Sequence, residues 1–157
     1  MIRLFLISGF VIAADQITKA AIAGFLTLHE SVSIIPGFFN LVYISNPGGA
    51  FGLFAGQNPV VRKFFFLFVS SVIACLILWF YKKTAEKSPV LSSGFAAIFG
   101  GAVGNLIDRF RFGMVVDFLD FHIGHYHWPA FNVADSAICI GMAVFLYFAL
   151  CRKLPDL

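Results

Sequence analysis

The chain has 157 residues, of which 60% are hydrophobic and only 12% charged, and its mean hydropathy is +0.90. Soluble globular domains have about 45–50% apolar and about 25% charged residues, so this composition indicates a membrane protein with little soluble mass. The formal net charge of +3 comes without a long basic run, which argues against nucleic-acid binding, and an odd number of cysteines in apolar surroundings is not a disulfide framework.

Four stretches are long and apolar enough to cross a bilayer, which takes about 20 residues. They cover about residues 4–26, 60–81, 89–107 and 129–151 of a single integral membrane domain, 1–157. Backbone polar groups in lipid must bond internally, so each stretch is predicted to be a helix. The first stretch has features of a secretory signal peptide, but its apolar character resumes after Asp15 and Lys19, which favours a span.

Two polar segments, about residues 27–59 and 108–128, join the spans on one side of the membrane. The first contains SVSIIPGFFNLVYISNPGGAFG, in which β-branched and aromatic residues are interrupted by Pro-Gly pairs. This pattern predicts short strands joined by turns. We therefore expect a small sheet at the membrane surface.

The distribution of basic residues orients the spans. On the side of the short connection KKTAEKS and both termini, the basic residues are Arg3, Lys82, Lys83, Lys87, Arg152 and Lys153. On the side of the polar segments they are Lys19, Arg62, Lys63, Arg109 and Arg111. Lys19 and Arg109 have acidic neighbours as partners, so the remaining excess predicts cytoplasmic termini by the positive-inside rule.

Ionisable side chains within spans usually face a bundle interior or water. Asp15 and Lys19 are one helical turn apart with the acid first, the favourable order for an ion pair. This pair either fixes helix packing or borders a site. Near the end of the third span, Asn105, Asp108 and Arg109 share one helical face. Asp108 and Arg109 either pair with each other, or Arg109 donates to a substrate carbonyl.

Asp117 and Asp135 are two acids without an obvious local cation, and both should lie near the same membrane face. Asn132 can cap the fourth span, which would free Asp135 from that role. Two carboxylates in one site do not easily both ionise. The ionised one can draw a proton from water while the protonated one assists at a scissile peptide bond. A capping or helix-dipole role for each acid is the alternative.

Other chemistries have weaker support. The chain has no G-x-S-x-G elbow and no H-E-x-x-H helix. FHIGHYHW carries His122, His125 and His127, so a metal site is an open alternative, although such histidines are more often exposed; we expect no metal and no cofactor. An ion or proton translocator would also hold acids inside a bundle, but these acids crowd one end. A structural membrane subunit is a further alternative.

Five blocks resemble, in order, the signature blocks of bacterial lipoprotein signal peptidase, also called signal peptidase II: DQITK, NPGGAFG, GGAVGNLIDR, VVDF and FNVADS. The resemblance implies an all-α membrane protein with four transmembrane helices, a small periplasmic β-sheet (a cradle) and a short periplasmic helix. It implies an aspartic endopeptidase of the bacterial inner membrane, with its active site at the periplasmic face. The enzyme removes the signal peptide from diacylglyceryl prolipoproteins, cutting just before the lipidated cysteine.

The matching positions imply a role for each residue. The catalytic pair would be Asp117 and Asp135. The substrate-binding residues would be Asn46, Arg109, Asn105, Asn132, Gly101 and Ala134. The structural polar residues would be Asp15, Lys19 and Asp108. We expect a monomer whose partners are the prolipoprotein and membrane lipid. NPGGAFG departs from the usual pattern at Pro47 and Gly52, which could alter the local turn.

Overall fold

Four long helices form the body of the protein. The structure, a computed structural model, describes residues 1–48 and 56–151. The helices are α1 (Ile2–Phe25), α2 (Pro59–Thr84), α3 (Pro89–Phe112) and α4 (Val133–Leu150). Each is long and apolar enough to cross a membrane, so the four predicted spans are confirmed. We call the end of the bundle where α1 begins and α4 ends the terminal end, and the opposite end the sheet end.

Helix α3 is the centre of the bundle. It packs against all three other helices, whereas the extensive contact of α2 is with α3. In the most apolar window of each helix, 61% of the residues of α3 are buried but only 11% of those of α2. Helix α2 therefore presents most of its surface to lipid, which explains why its sequence is the most apolar of the four.

Small residues bring the helices together near the sheet end. A Cβ atom at Gly104 would lie 2.7 Å from Oδ2 of Asp15, so α1 and α3 are in close contact there. A Cβ atom at Gly101 would collide with the backbone carbonyl of Ala134, which places α3 directly against the start of α4. Glycine has no side chain, so these positions permit the close approach of the helix backbones.

Two helix boundaries differ from the prediction. Helix α3 continues to Phe112 rather than ending near residue 107, and it stops at Gly113, whose φ of 76° is readily adopted by glycine. Asp108 and Arg109 thus lie on the helix and not in a polar segment. Helix α4 begins at Val133 rather than near residue 129, because Phe131 is extended and its N–H donates to Leu119 O at 3.1 Å.

A four-stranded antiparallel sheet covers the sheet end. Its strands are β1 (Ser31–Ile35), β2 (Phe39–Asn46), β3 (Val115–Ile123) and β4 (Tyr126–His127), in that spatial order. The predicted strands of the first polar segment are β1 and β2, and the small sheet is confirmed. The second segment adds β3, which pairs with β2 so that Ile44 lies opposite Asp117. The sheet rests on the bundle, since β3 contacts both α1 and α3.

Some expectations fall on parts of the chain that the structure does not describe. The short helix implied by the resemblance is not found in residues 27–48, 56–58 or 113–132. Gly52 of the NPGGAFG block lies outside the described residues, as do Arg152 and Lys153 of the basic-residue comparison.

Candidate active site

Asp117 and Asp135 approach each other at the sheet end, from different elements. Asp117 is the third residue of β3, and Asp135 lies in the first turn of α4. Asp117 is buried, with 3% of its surface exposed. Its Oδ2 accepts a hydrogen bond from Asn46 Nδ2 at 3.0 Å, and its Oδ1 accepts one from Asn132 Nδ2 at 2.7 Å. Each carboxylate oxygen of Asp117 therefore has an amide donor.

Asp135 also receives a donor on each oxygen. Asn105 Nδ2 donates to Oδ1 at 2.8 Å, and the backbone N–H of Asn132 donates to Oδ2 at 3.3 Å. Asn132 Oδ1 in turn accepts from the Asp135 N–H at 3.0 Å, which completes a capping box. The predicted cap by Asn132 is confirmed. The expectation that this cap frees Asp135 from the helix start is wrong, because its Oδ2 is the second half of the box.

Asn132 connects the two acids. It is fully buried, and its side-chain amide contacts Asp117 while its backbone N–H contacts Asp135. The same amide lies 3.2 Å from the Val116 carbonyl oxygen and 3.3 Å from Asn105 Oδ1. The two carboxylates thus lie within reach of one asparagine, and this is the pairing that the sequence predicted.

A buried cluster of charged residues lies behind Asp135. Lys19 is 4% exposed, and its Nζ lies 2.9 Å from Asp15 Oδ2, 2.8 Å from Asp108 Oδ2 and 2.9 Å from Asn105 Oδ1. These three acceptors use all three N–H groups of the ammonium. Asp15 Oδ1 accepts from the Ala134 N–H at 2.9 Å, which ties the start of α4 to α1. The predicted Asp15–Lys19 ion pair is confirmed.

Asp108 pairs with Lys19 and not with its neighbour Arg109, so of the two alternatives for these residues the Asp108–Arg109 ion pair is wrong. The Arg109 guanidinium donates instead to the Asn105 carbonyl oxygen at 3.3 Å, and it lies over the ring of Phe66 at 5.3 Å. Its charge acts on Asp135 and Asp117 without a direct ion pair among the described residues. Arg109 has five N–H donors, so its position leaves donors for a ligand beside the two acids.

The environment of Asp117 favours its protonated form. Burial raises the pKa of Asp117 to about 6, and the neighbouring charge of Asp135 acts in the same direction. The amide donors of Asn46 and Asn132 and the charge of Lys19 oppose this rise in pKa. A carboxyl group with a pKa near 6 can both accept and release a proton close to neutral pH, as acid–base catalysis requires.

Gly101 and Ala134 lie beside the site rather than open to it. Both are buried where α3 meets α4, and Ala134 has no exposed surface. They therefore have a packing role: their contact fixes where the first turn of α4, which carries Asp135, lies against α3. Their predicted contact with substrate stays a prediction.

The histidines of FHIGHYHW lie on the β3–β4 hairpin, away from the carboxylate pair. His127 Nδ1 is 2.8 Å from Asp120 Oδ1, and the His127 ring stacks on His122. Burial by itself would raise the pKa of Asp120, but hydrogen bonds from His127 and Asn40 lower it below the usual value. Within residues 1–48 and 56–151, no three His, Cys, Asp or Glu side chains are grouped as ligands for a metal ion.

Gln16 is a site neighbour that the sequence reasoning missed. Its Nε2 donates to Asp108 Oδ1 at 2.9 Å and lies 3.2 Å from Asp15 Oδ2, so it joins α1 to α3 beside Lys19. Its position in the sequence could have identified it, because it is a glutamine inside an apolar span and next to an aspartate.

Comparison with known proteins identifies the family. A family model described as signal peptidase (SPase) II matches residues 7–151. The chain belongs to the signal peptidase II family. This confirms the resemblance carried by the five sequence blocks and establishes that the family's activity is proteolytic.

Individual members of signal peptidase II are similar over nearly their whole length. A lipoprotein signal peptidase from Desulforapulum autotrophicum is 68% identical over 157 residues, which is 100% of this chain and 97% of the relative. One from Syntrophotalea carbinolica is 49% identical over 91% of this chain and 88% of the relative. A solved bacterial membrane enzyme has a TM-score of 0.85 at 34% identity, with 96% of this chain and 88% of that chain covered. The protein is therefore a multi-pass membrane protein of this family.

Proposed function

We propose that the protein is an aspartic endopeptidase that removes the signal peptide from diacylglyceryl-modified prolipoproteins, cutting just before the lipidated cysteine. Asp117 and Asp135 form its catalytic dyad. The observation that carries this proposal is the pair of carboxylates joined through Asn132 at one end of an apolar bundle. Membership of the lipoprotein signal peptidase family supports the choice of substrate.

The dyad hydrolyses the peptide bond in two steps. One carboxylate is ionised and takes a proton from a water molecule, whose oxygen forms a bond to the scissile carbonyl carbon. The other carboxyl group is protonated and donates to the carbonyl oxygen as negative charge develops there. The C–N bond then breaks as the nitrogen receives the proton that the first carboxylate took from water. The second carboxylate takes back a proton from the tetrahedral intermediate as the C=O bond re-forms, so the signal peptide leaves as a carboxylic acid and the lipidated cysteine as an amine. The raised pKa of Asp117 supports a dyad that holds one proton near neutral pH.

Two side chains next to the dyad hold the substrate backbone. Arg109 has guanidinium donors beside the acids and offers them to a peptide carbonyl. Asn46 donates to Asp117 through Nδ2, and its Oδ1 accepts from the Gly48 N–H at 3.0 Å, so it is fixed at the end of β2. The substrate is anchored by its own signal helix and lipid, so confinement of both partners to one bilayer supplies proximity and orientation.

In this proposal the protein spans the bacterial inner membrane, with both termini in the cytoplasm and the dyad at the periplasmic face. Arg3, Lys82, Lys83 and Lys87 support this orientation, because all four lie at the terminal end. The dyad lies where helices meet the sheet, so water reaches the scissile bond from the polar side of the membrane. The acids crowd this one end, which argues against a path for ions across the bilayer.

A cleavage assay in detergent micelles tests the proposal. Purified protein meets a prolipoprotein with and without its diacylglyceryl group, in the presence or absence of EDTA. We expect cleavage of the lipidated form alone, unaffected by EDTA, and a loss of at least about a thousandfold in Asp117→Asn and in Asp135→Asn, because acid–base catalysis and positioning both depend on the pair.

Asp120→Asn is the matched control, since Asp120 is a buried acid on the same strand but is paired with His127. This variant should cleave within about threefold of the wild type. Normal cleavage by both dyad variants would contradict the proposed mechanism. Inhibition by EDTA would instead direct attention to His122, His125 and His127.

A further inference from the structure

The side chain of Asn105 is the direct link between the buried charged cluster and Asp135. Its Oδ1 accepts from Lys19 Nζ at 2.9 Å, and its Nδ2 donates to Asp135 Oδ1 at 2.8 Å. An amide has one acceptor end and one donor end. If it turned over, its oxygen would face the Asp135 carboxylate and its NH2 group would face the ammonium. Lys19 therefore disfavours the orientation in which the donor is lost.

We propose that Lys19 is a positioning residue of this enzyme: it holds the amide of Asn105 so that the N–H group points at Asp135. This inference rests on the proposed function, because it concerns how one member of the dyad is prepared for proton transfer. Lys19 contacts Asn105 and touches neither acid of the dyad by a hydrogen bond among the described residues, and its charge also acts on both acids.

A comparison of Lys19 with Gln16 distinguishes this positioning role from a purely structural one. Gln16 and Lys19 both lie on α1, and both donate to Asp15 and Asp108. Only Lys19 also donates to Asn105. Gln16 thus shares in the joining of α1 to α3 but has no part in orienting the amide, and it provides a matched control.

The charges that face Asp135 come from three elements besides its own. They are Asp117 from β3, Arg109 from α3, and Asp15 and Lys19 from α1. Loss of the Lys19 charge removes one influence that lowers the pKa of Asp117. Loss of the amide donor also removes a hydrogen bond to the Asp135 carboxylate. Because the two acids titrate as a unit, the loss of both interactions moves the ionisation of the dyad to higher pH.

The test compares Lys19→Met, which keeps an unbranched side chain one atom shorter and without the ammonium, with Gln16→Met. The pH dependence of kcat/KM on lipidated prolipoprotein and the thermal unfolding midpoint are measured for both variants. We expect both to unfold at lower temperature. Only Lys19→Met should shift the acid limb of the pH profile upward, by about half a pH unit or more. An unshifted acid limb in Lys19→Met, with lowered stability, would overturn the inference and leave Lys19 a structural residue.

Lys19→Met leaves Asp15 and Asp108 buried without their ammonium partner, which could unfold the protein. A double variant therefore keeps the net charge of the cluster unchanged. Lys19→Met with Asp108→Asn removes one charge of each sign, while Asp108→Asn by itself keeps the Lys19–Asn105 contact. An upward shift of the acid limb in the double variant, and none in Asp108→Asn, is the result expected. Equal profiles in these two variants would contradict the inference.

Failure of the proposed function would be recognised separately, as absence of cleavage by folded wild type. The Asn105 contact is then tested by selective 15N labelling of asparagine side chains. We expect the Asn105 amide resonances to move in the double variant and to stay in Gln16→Met. Unchanged resonances in the double variant would overturn the orienting role whatever the enzyme cleaves.

Discussion

Asp117 occupies a position that disfavours its own charge, and this makes the stability of the protein depend on pH. Its pKa is about 6 in the folded protein against 3.8 for an unperturbed aspartate. Between these pH values the folded chain binds more protons than the unfolded chain. The stability that comes from protonated Asp117 is therefore lost as the pH rises through about 6. The loss amounts to roughly 3 kcal/mol as an upper bound.

Asp117→Asn should remove this dependence. Relative to the wild type, the variant should gain stability between about pH 4 and about pH 7, because the unfavourable ionisation is absent. Thermal unfolding in detergent at several pH values measures the gain. A difference between variant and wild type that is the same at all pH values would contradict this prediction.

Asp120→Asn is a control for which the pH dependence of stability should have the opposite sign. Hydrogen bonds from His127 and Asn40 hold the pKa of Asp120 below its usual value, so this acid stabilises the fold above that value. Its contribution is lost as the pH falls. The variant should accordingly be less stable than the wild type near neutral pH and approach it in acid.

At the scale of elements, the contact between α3 and α4 sets the position of Asp135. Gly101→Ala would place a Cβ atom against the Ala134 carbonyl and 2.8 Å from Ile138 Cγ1, so α4 would have to move away. We expect a loss of stability of about 1–3 kcal/mol and a fall in kcat, since Asp135 follows Ala134 directly. Unfolding midpoints and cleavage rates measure both effects.

Gly9→Ala is the matched glycine, on α1, where an added Cβ meets nothing within 4 Å. It should leave activity unchanged and keep or slightly raise stability, because alanine favours helix by about 1 kcal/mol over glycine. Equal effects of the two substitutions would show that the close approach of α3 and α4 does not position Asp135.

The helices were predictable because a long apolar stretch in lipid must satisfy its backbone hydrogen bonds internally, and a helix does so. The ends of the helices were harder to predict. Hydropathy falls at Asp108, yet helical hydrogen bonding continues to the glycine at 113, and the apolar residue Phe131 belongs to an extended segment that pairs with β3. Strand β3 itself was not predicted, because its partner β2 lies far away in the sequence.

The candidate site was predictable in its acids but not in its connections. Asp117 and Asp135 stood out as acids without a local cation, and the sequence blocks pointed to the same pair. The partner of Asp108 could not be found this way, because Arg109 is next to it in sequence while Lys19 reaches it only through the packing of α1 on α3. The hydrogen-bond partners of the site residues come from elements that are distant in sequence, so only the packed structure reveals them.

At the scale of the whole molecule, the proposed orientation makes a direct prediction. In a variant without the three native cysteines, Tyr126→Cys lies on the exposed hairpin of the sheet end, and Glu86→Cys lies at the terminal end. A membrane-impermeant maleimide applied to spheroplasts should label Tyr126→Cys at once. It should label Glu86→Cys only after the membrane is broken. The reverse pattern would place the sheet in the cytoplasm.

The ion pair within α1 also bears on how the chain enters the membrane during synthesis. A single charged side chain near the middle of a spanning helix costs about 3 kcal/mol on insertion. Asp15 and Lys19 are 2.9 Å apart on one helix, so α1 can enter the bilayer with this charge already balanced, before α3 has been made. Asp108 arrives later, close to the sheet end of α3, and binds an ammonium that is already in place. The order of the chain thus lets a buried group of three charges assemble one helix at a time, and no helix has to carry an unpaired charge far from water.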